Sequence, residues 1–248
     1  MKTILLNCDM GESFGAWTMG DDAHAMALVD QANLACGFHA GDPLTMQRTV
    51  ALACQHGVSI GAHPAYPDLQ GFGRRHMACA PEEVTAMLLY QLGALEAFCR
   101  VAGTALAYVK PHGALYNDML ADDALFVAVL EACARYRVGL PLMTLALADN
   151  ARERRLAEAA GVPLIFEAFA DRAYLADGRL APRRLAGAVH HEPQRILDQA
   201  LAIAQGEAFA DIDGKPLRLQ ADSLCVHGDN GESLAVLRRL RAQLDALS

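Results

Sequence analysis

The sequence predicts an α/β fold, a seven-stranded parallel (β/α) barrel, on three observations. Short, nearly all-apolar runs of strand length alternate with amphipathic helical segments, as a parallel sheet buried on both faces requires. Six of those runs stop in clusters rich in His, Asp and Gly, and ligands bind at the carboxyl ends of parallel strands. No Ser/Gly linker or low-complexity stretch divides the 248 residues, so one barrel domain over 1–248 is expected. A doubly wound open sheet is the competing arrangement.

In chain order, a first strand at 3–6 runs into Asn7-Cys8-Asp9-Met10-Gly11-Glu12, and a second at 32–36 into Gly37-Phe38-His39-Ala40-Gly41-Asp42. Asp42, Pro43 and Gly57 then bracket a helix to Gln55, with an N-cap, a proline in the first turn and a glycine stop. The third strand, 58–60, leads to Gly61-Ala62-His63-Pro64. Pro81-Glu82-Glu83 opens a helix to Ala102 whose stripe is Val84, Leu88, Leu92, Leu95 and Cys99. The fourth strand, 107–109, ends in Lys110-Pro111-His112-Gly113. A fifth is read at 140–147, and a sixth at 164–166 precedes Glu167, Asp171 and Arg172. The last, 224–226, ends in His227-Gly228-Asp229-Asn230. Further helices are predicted over 122–136, 150–160, 182–189, 193–205 and 232–247. Asp213-Gly214 between short alternating runs predicts a small β-hairpin over 209–219.

Composition bounds the function. The chain is 53% hydrophobic and 20% charged, which excludes disorder. Its net charge of −8, without a basic stripe interleaved with aromatics, argues against nucleic acid as partner. Seven widely spaced cysteines with no CxxC pair point to a reducing compartment. No signal-peptide pattern and no apolar stretch long enough for a bilayer are read, so a cytoplasmic protein without membrane partner is expected.

The polar clusters are weighed one by one. Asp9 and Glu12 suit an acid–base pair or metal ligands, and equally the cap of a following helix. Asp42 reads as the N-cap at Pro43, which leaves His39 unexplained. A lysine at the end of a buried strand must be paired or face a polar cavity, and His112 two residues on can move a proton near neutral pH. Gly71-Phe72-Gly73-Arg74-Arg75 suits a mobile anion clamp, or simply a solvated basic loop. Glu167, Asp171 and Arg172 suit a site or an internal ion pair. GxxxxGK[ST], GxGxxG after a strand, HExxH, GxSxG and an HxH on the first strand are all missing. The case for an enzyme rests on His39, His63, His112 and His227 at four strand ends, beside Asp9, Lys110 and Asp229.

Read together as LNCDMGESFGAW, ANLACGFHAGDP, GAHPAYPDLQGFGRR, YVKPHGALYN, FEAFADRAY and CVHGDN, the clusters resemble the LamB/YcsF family, to which the A component of 5-oxoprolinase belongs. The resemblance spans nearly the whole chain. It implies a barrel similar to the glycoside hydrolase/deacetylase group. It also implies ATP-dependent opening of 5-oxo-L-proline to L-glutamate with two partner subunits, B and C. ATP, with Mg2+, is the implied cofactor, shared with or handled by those partners in keeping with the missing phosphate loop. The chemistry then assigns Asp9, Glu12, Lys110, His112 and Asp229 as catalytic. Lys110 and His112 stabilise oxyanion or phosphate charge, and Asp9, Glu12 or Asp229 serves as base. Asn33, His39, His63, Arg74, Arg75, Glu167 and His227 line the substrate, with Arg74 or Arg75 on an anion. No metal ligand is assigned. The alternatives are a metal-dependent hydrolase or deacetylase with Asp9, His39, His63 and His227 around a divalent ion, and a noncatalytic barrel that binds a small acid or the partner subunits.

Overall fold

Seven parallel strands close into a barrel in the computed structural model, which describes residues 4–226 and 231–247. The first half comprises β1 (Leu5–Met10), α1 (Asp22–Ala25) with a 3-10 turn at Met26–Leu28, β2 (Gln31–Ala35), α2 (Pro43–His56), β3 (Ser59–His63), α3 (Pro81–Val101) and β4 (Tyr108–Val109). The second half comprises α4 (Gly113–Ala121), α5 (Asp123–Tyr136), β5 (Leu142–Leu145), α6 (Ala151–Ala160), β6 (Leu164–Phe169), α7 (Pro193–Gln205), β7 (Phe209–Ala210), β8 (Pro216–Leu217), β9 (Ser223–Cys225) and α8 (Gly231–Leu247). Strands pair in sequence order from β1 to β6, and β9 closes the ring between β6 and β1. β7 and β8 form the predicted antiparallel hairpin outside it.

Local chemistry sets the helix ends. Asp42 Oδ1 accepts from the Leu44 and Thr45 amides at the start of α2, and Gly57 ends it in the left-handed conformation at φ 66°. Asp122 caps α5 in the same way. The predicted stripe of α3 (Val84, Leu88, Leu92, Leu95 and Cys99) is fully buried, each leucine contributing about 2 kcal/mol of apolar burial. By length and composition α3 is apolar enough to cross a bilayer, against the expectation that no stretch is. That apolar face is already spent on the core.

Two helix predictions need correction. Residues 182–189 form turns, not a helix, because the carbonyls of Ala181 and Ala188 accept from the buried Arg172 guanidinium at 2.7 and 3.3 Å. Gly187 also sits at φ 78°. Conversely, α4 is a helix that the apolar pattern does not announce; it starts directly after His112. The strands run further than the apolar patterns, so Asp9, His63 and Glu167 stand within β1, β3 and β6 rather than in loops after them.

Candidate active site at the barrel mouth

Strand register puts polar side chains on the barrel axis. Asn7 and Asp9 of β1 lie beside Gln31 and Asn33 of β2, Asn33 beside Gly61 of β3, and Gly61 beside Tyr108 of β4. At the base, Ser223 Oγ donates to Gln31 Oε1 and accepts from Asn7 Nδ2, both at 2.7 Å. One layer up, Asn33 Nδ2 donates to Asn7 Oδ1 and Asp9 Oδ1 at 2.8 Å, and the Tyr108 hydroxyl donates to Asn33 Oδ1 at 2.7 Å. Tyr108 reaches across only because position 61 is glycine, since a Cβ there would stand 2.1 Å from its ring.

Lys110 crowns this column. Its ammonium lies 3.0 Å from Asp9 Oδ1 and 2.9 Å from Glu167 Oε2, and donates to Asn7 Oδ1 at 3.2 Å. Burial disfavours its charge, but Asp9 and Glu167 outweigh burial and hold it well above the ordinary lysine value. The result is a fixed positive charge at the floor of an open cavity. Tyr116 stands beside Glu167, its phenol pushed well up by burial and by that carboxylate.

Three imidazoles and Glu12 form the next layer. His39 and His112 stack with ring centroids 3.8 Å apart, and His63 meets both edge-on. His63 Nδ1 donates to the Lys110 carbonyl at 2.7 Å, and His112 Nε2 donates to the Phe72 carbonyl at 2.8 Å. Burial, then the neighbouring imidazoles, keep the His112 value well below that of free histidine. Burial and His63 do the same for His39. Neutral His112 has therefore spent its single N–H on Phe72, and the oxyanion-stabilising role predicted for it is corrected to that of a lone-pair donor. Glu12 Oε1 stands 3.4 Å from His39 Nε2 and 3.8 Å from His112 Nδ1. The ligand atoms of Glu12, His39, His63 and His112 all lie within 4.8 Å of one another, the one such group among the described residues.

The Gly-rich loop is a wall rather than a mobile clamp. Asp68 accepts from the Gly71 amide and from the Arg75 guanidinium, and Phe72 is held at φ 54° so that its carbonyl faces His112. Gly73 packs against the histidines, where a Cβ would come within 2.9 Å of both His39 and His112. Arg74 lies over the Phe72 ring and lines the cavity with Asp9, His63, Lys110, His112, Asn117, Phe169, Arg172 and Arg183. Arg172 is pushed down to about 10 by burial and by the charge of Arg183, which leaves it cationic at neutral pH.

The structure thus gathers Asp9, Glu12, His39, His63, Lys110, His112 and Arg74. Three predicted substrate contacts are corrected. Arg75 turns outward onto Asp68, while Asn33 and Glu167 sit beneath the cavity as partners of Asp9 and Lys110. His227 and Asp229 lie outside the described residues. Sequence reasoning gave no role to Tyr116, Asn117, Phe169 or Arg183. The alternation of β6 carries Phe169 to the cavity from Glu167, a signal that the end placed at 166 concealed.

The model of the LamB/YcsF family matches residues 4–248. A relative from Pseudomonas aeruginosa, named as a 5-oxoprolinase A subunit (the one numbered 3), is 78% identical over 99% of this chain and 98% of its own length. One from Pseudomonas putida, likewise named and numbered 2, is 60% identical over 100% of this chain and 96% of its own. The crystal structure of a lactam utilization protein from Thermus thermophilus superposes with a TM-score of 0.91 at 42% identity, covering 100% of this chain and 97% of that one.

Proposed function

Because the chain belongs to the LamB/YcsF family, we propose that it opens 5-oxo-L-proline to L-glutamate as the A subunit of an ATP-dependent 5-oxoprolinase, with partner subunits B and C. One observation carries the reading: a buried Lys110–Asp9 pair at 3.0 Å opens into a cavity rimmed by Arg74 and Arg172. 5-Oxoproline, a five-membered lactam, carries one carboxylate and one resonance-stabilised amide. The arginines suit the carboxylate, whose fork geometry they match. The Lys110 ammonium suits the oxygen that gains charge as the amide carbon becomes tetrahedral.

Conversion of the lactam oxygen to a phosphate ester at the expense of ATP makes that carbon electrophilic. Water then adds to that carbon, the ring C–N bond breaks as the nitrogen takes a proton, and the acyl phosphate that results loses phosphate to a second water, leaving the side-chain carboxylate of glutamate. Asp9 or Glu12 takes the proton of the attacking water. The partner subunits share or perform the nucleotide handling, in keeping with the missing phosphate loop. We place the protein in the cytoplasm, where its seven free thiols stay reduced.

Mixing the chain with candidate subunits B and C and following glutamate with and without ATP tests the proposal. Glutamate formation that needs all three chains and ATP is expected. The same rate without this chain would refute it.

A further inference from the structure

We propose that Glu12, His39, His63 and His112 bind one divalent transition-metal ion, of the zinc class. The inference goes beyond the lactam reading and does not depend on it. Two backbone carbonyls are the starting point. A carbonyl oxygen only accepts, so the ring nitrogen facing it at hydrogen-bond distance must carry hydrogen. The Lys110 carbonyl therefore fixes the proton of His63 on Nδ1, and the Phe72 carbonyl fixes that of His112 on Nε2. In the neutral rings the remaining nitrogens, His63 Nε2 and His112 Nδ1, then carry bare lone pairs. These point at each other across 2.9 Å. Two lone pairs at that separation repel unless a positive centre lies between or beside them.

A shared proton would satisfy that one pair. It would leave unexplained why two further donors converge on the same point. Glu12 Oε1 lies 3.8 Å from His112 Nδ1 and 3.4 Å from His39 Nε2, and all four ligand atoms fall within 4.8 Å of one another. An ion with ligands at about 2.1 Å sets neighbouring donors about 3.0 to 3.4 Å apart in octahedral or tetrahedral geometry. The observed 2.9, 3.4 and 3.8 Å bracket that range.

The surroundings fit as well. Donation of the distal ring N–H to a backbone carbonyl is the usual support of a metal-bound histidine, and two of the three have it. Three imidazoles with one carboxylate suit zinc, cobalt, nickel or iron, and not the all-oxygen preference of magnesium or calcium. Asp9 Oδ2 is 3.4 Å from His63 Nε2, so the ion would sit beside one of the two acids named above as candidate base.

The test reads metal alone. Protein stripped with chelator and dialysed is titrated calorimetrically with Zn2+, and separately with Co2+ while its visible spectrum is recorded. One equivalent bound with submicromolar affinity, a tetrahedral or five-coordinate Co2+ spectrum and a raised melting temperature are expected. Glu12→Gln and His63→Gln should each weaken binding about tenfold or more. Glu12 is partly exposed, so its variant keeps the fold, which circular dichroism verifies. His24→Asn at an exposed histidine should change nothing. Absence of a stoichiometric site in the wild type, or unchanged affinity in both Gln variants, would overturn the assignment. So would 15N histidine spectra showing a His63 imidazolium that persists at pH 8 with Zn2+ present.

Discussion

Replacing Lys110 by methionine is the most informative single change, because its cost follows from two distances. The ammonium stands 3.0 Å from one carboxylate and 2.9 Å from another, and both lysine and Glu167 are almost wholly buried. Methionine fills the volume but leaves Asp9 and Glu167 as like charges facing one cation fewer. Breaking a buried pair on one side costs about 3 to 5 kcal/mol. A domain of this size holds about 5 to 15 kcal/mol in reserve, so the variant should fold. Its deficit must depend on pH. A carboxylate left without its cation binds a proton more readily in the folded protein than in the unfolded chain, so folded stability falls as pH rises. The slope approaches about 1.4 kcal/mol per unit within that window. Urea unfolding followed by circular dichroism should therefore show a deficit about 2 kcal/mol larger at pH 7.5 than at pH 5.5. Adding Glu167→Gln should recover part of it, and the reconstituted complex should make no glutamate. A deficit below about 1 kcal/mol at pH 7.5, or one independent of pH, would refute the charge argument.

Three other outcomes are expected. Arg74→Ala should raise the KM for 5-oxoproline about tenfold or more with little change in kcat, whereas Arg75→Ala should leave KM alone and cost at most about 1 kcal/mol in unfolding experiments. Gly61→Ala drives a methyl into the Tyr108 ring and should cost about 3 kcal/mol, read as a lower melting temperature. Asp22 is raised to about 6, first by burial and then by Glu12, against the Gly11 amide that donates to it at 2.9 Å. Its raised value stabilises the fold below about pH 4, and that contribution is lost as pH rises through about 6. Asp22→Asn, which keeps an acceptor for Gly11, should stabilise the protein by about 2 kcal/mol more at pH 7.5 than at pH 4.5, measured by urea midpoint.

The barrel was legible because its signals are local. Asp42-Pro43 with Gly57 encodes α2, the leucine stripe encodes α3, and each apolar run marks a strand. What escaped depends on partners distant in sequence. The stretch 182–189 has helical composition, yet its flanking carbonyls are claimed by Arg172, nine and sixteen residues before them. Arg75 looks as fit for a ligand as Arg74, and only the position of Asp68 separates them. Strand-end placement groups four histidines, and three of them do meet. Their proton positions are invisible in the sequence, because they are dictated by the carbonyls of Lys110 and Phe72.

The axial column from Ser223 and Gln31 up to Lys110 has a consequence for assembly of the fold. Had the interior been uniformly aliphatic, a strand shifted by one residue would bury much the same surface. Here such a slip in β1 would turn Cys8 and Met10 inward and strand Asn7 and Asp9 against the helical shell, with their hydrogen bonds broken. The polar spine thus acts as a vernier, and the alignment that it enforces is what delivers each reactive side chain to its height at the rim.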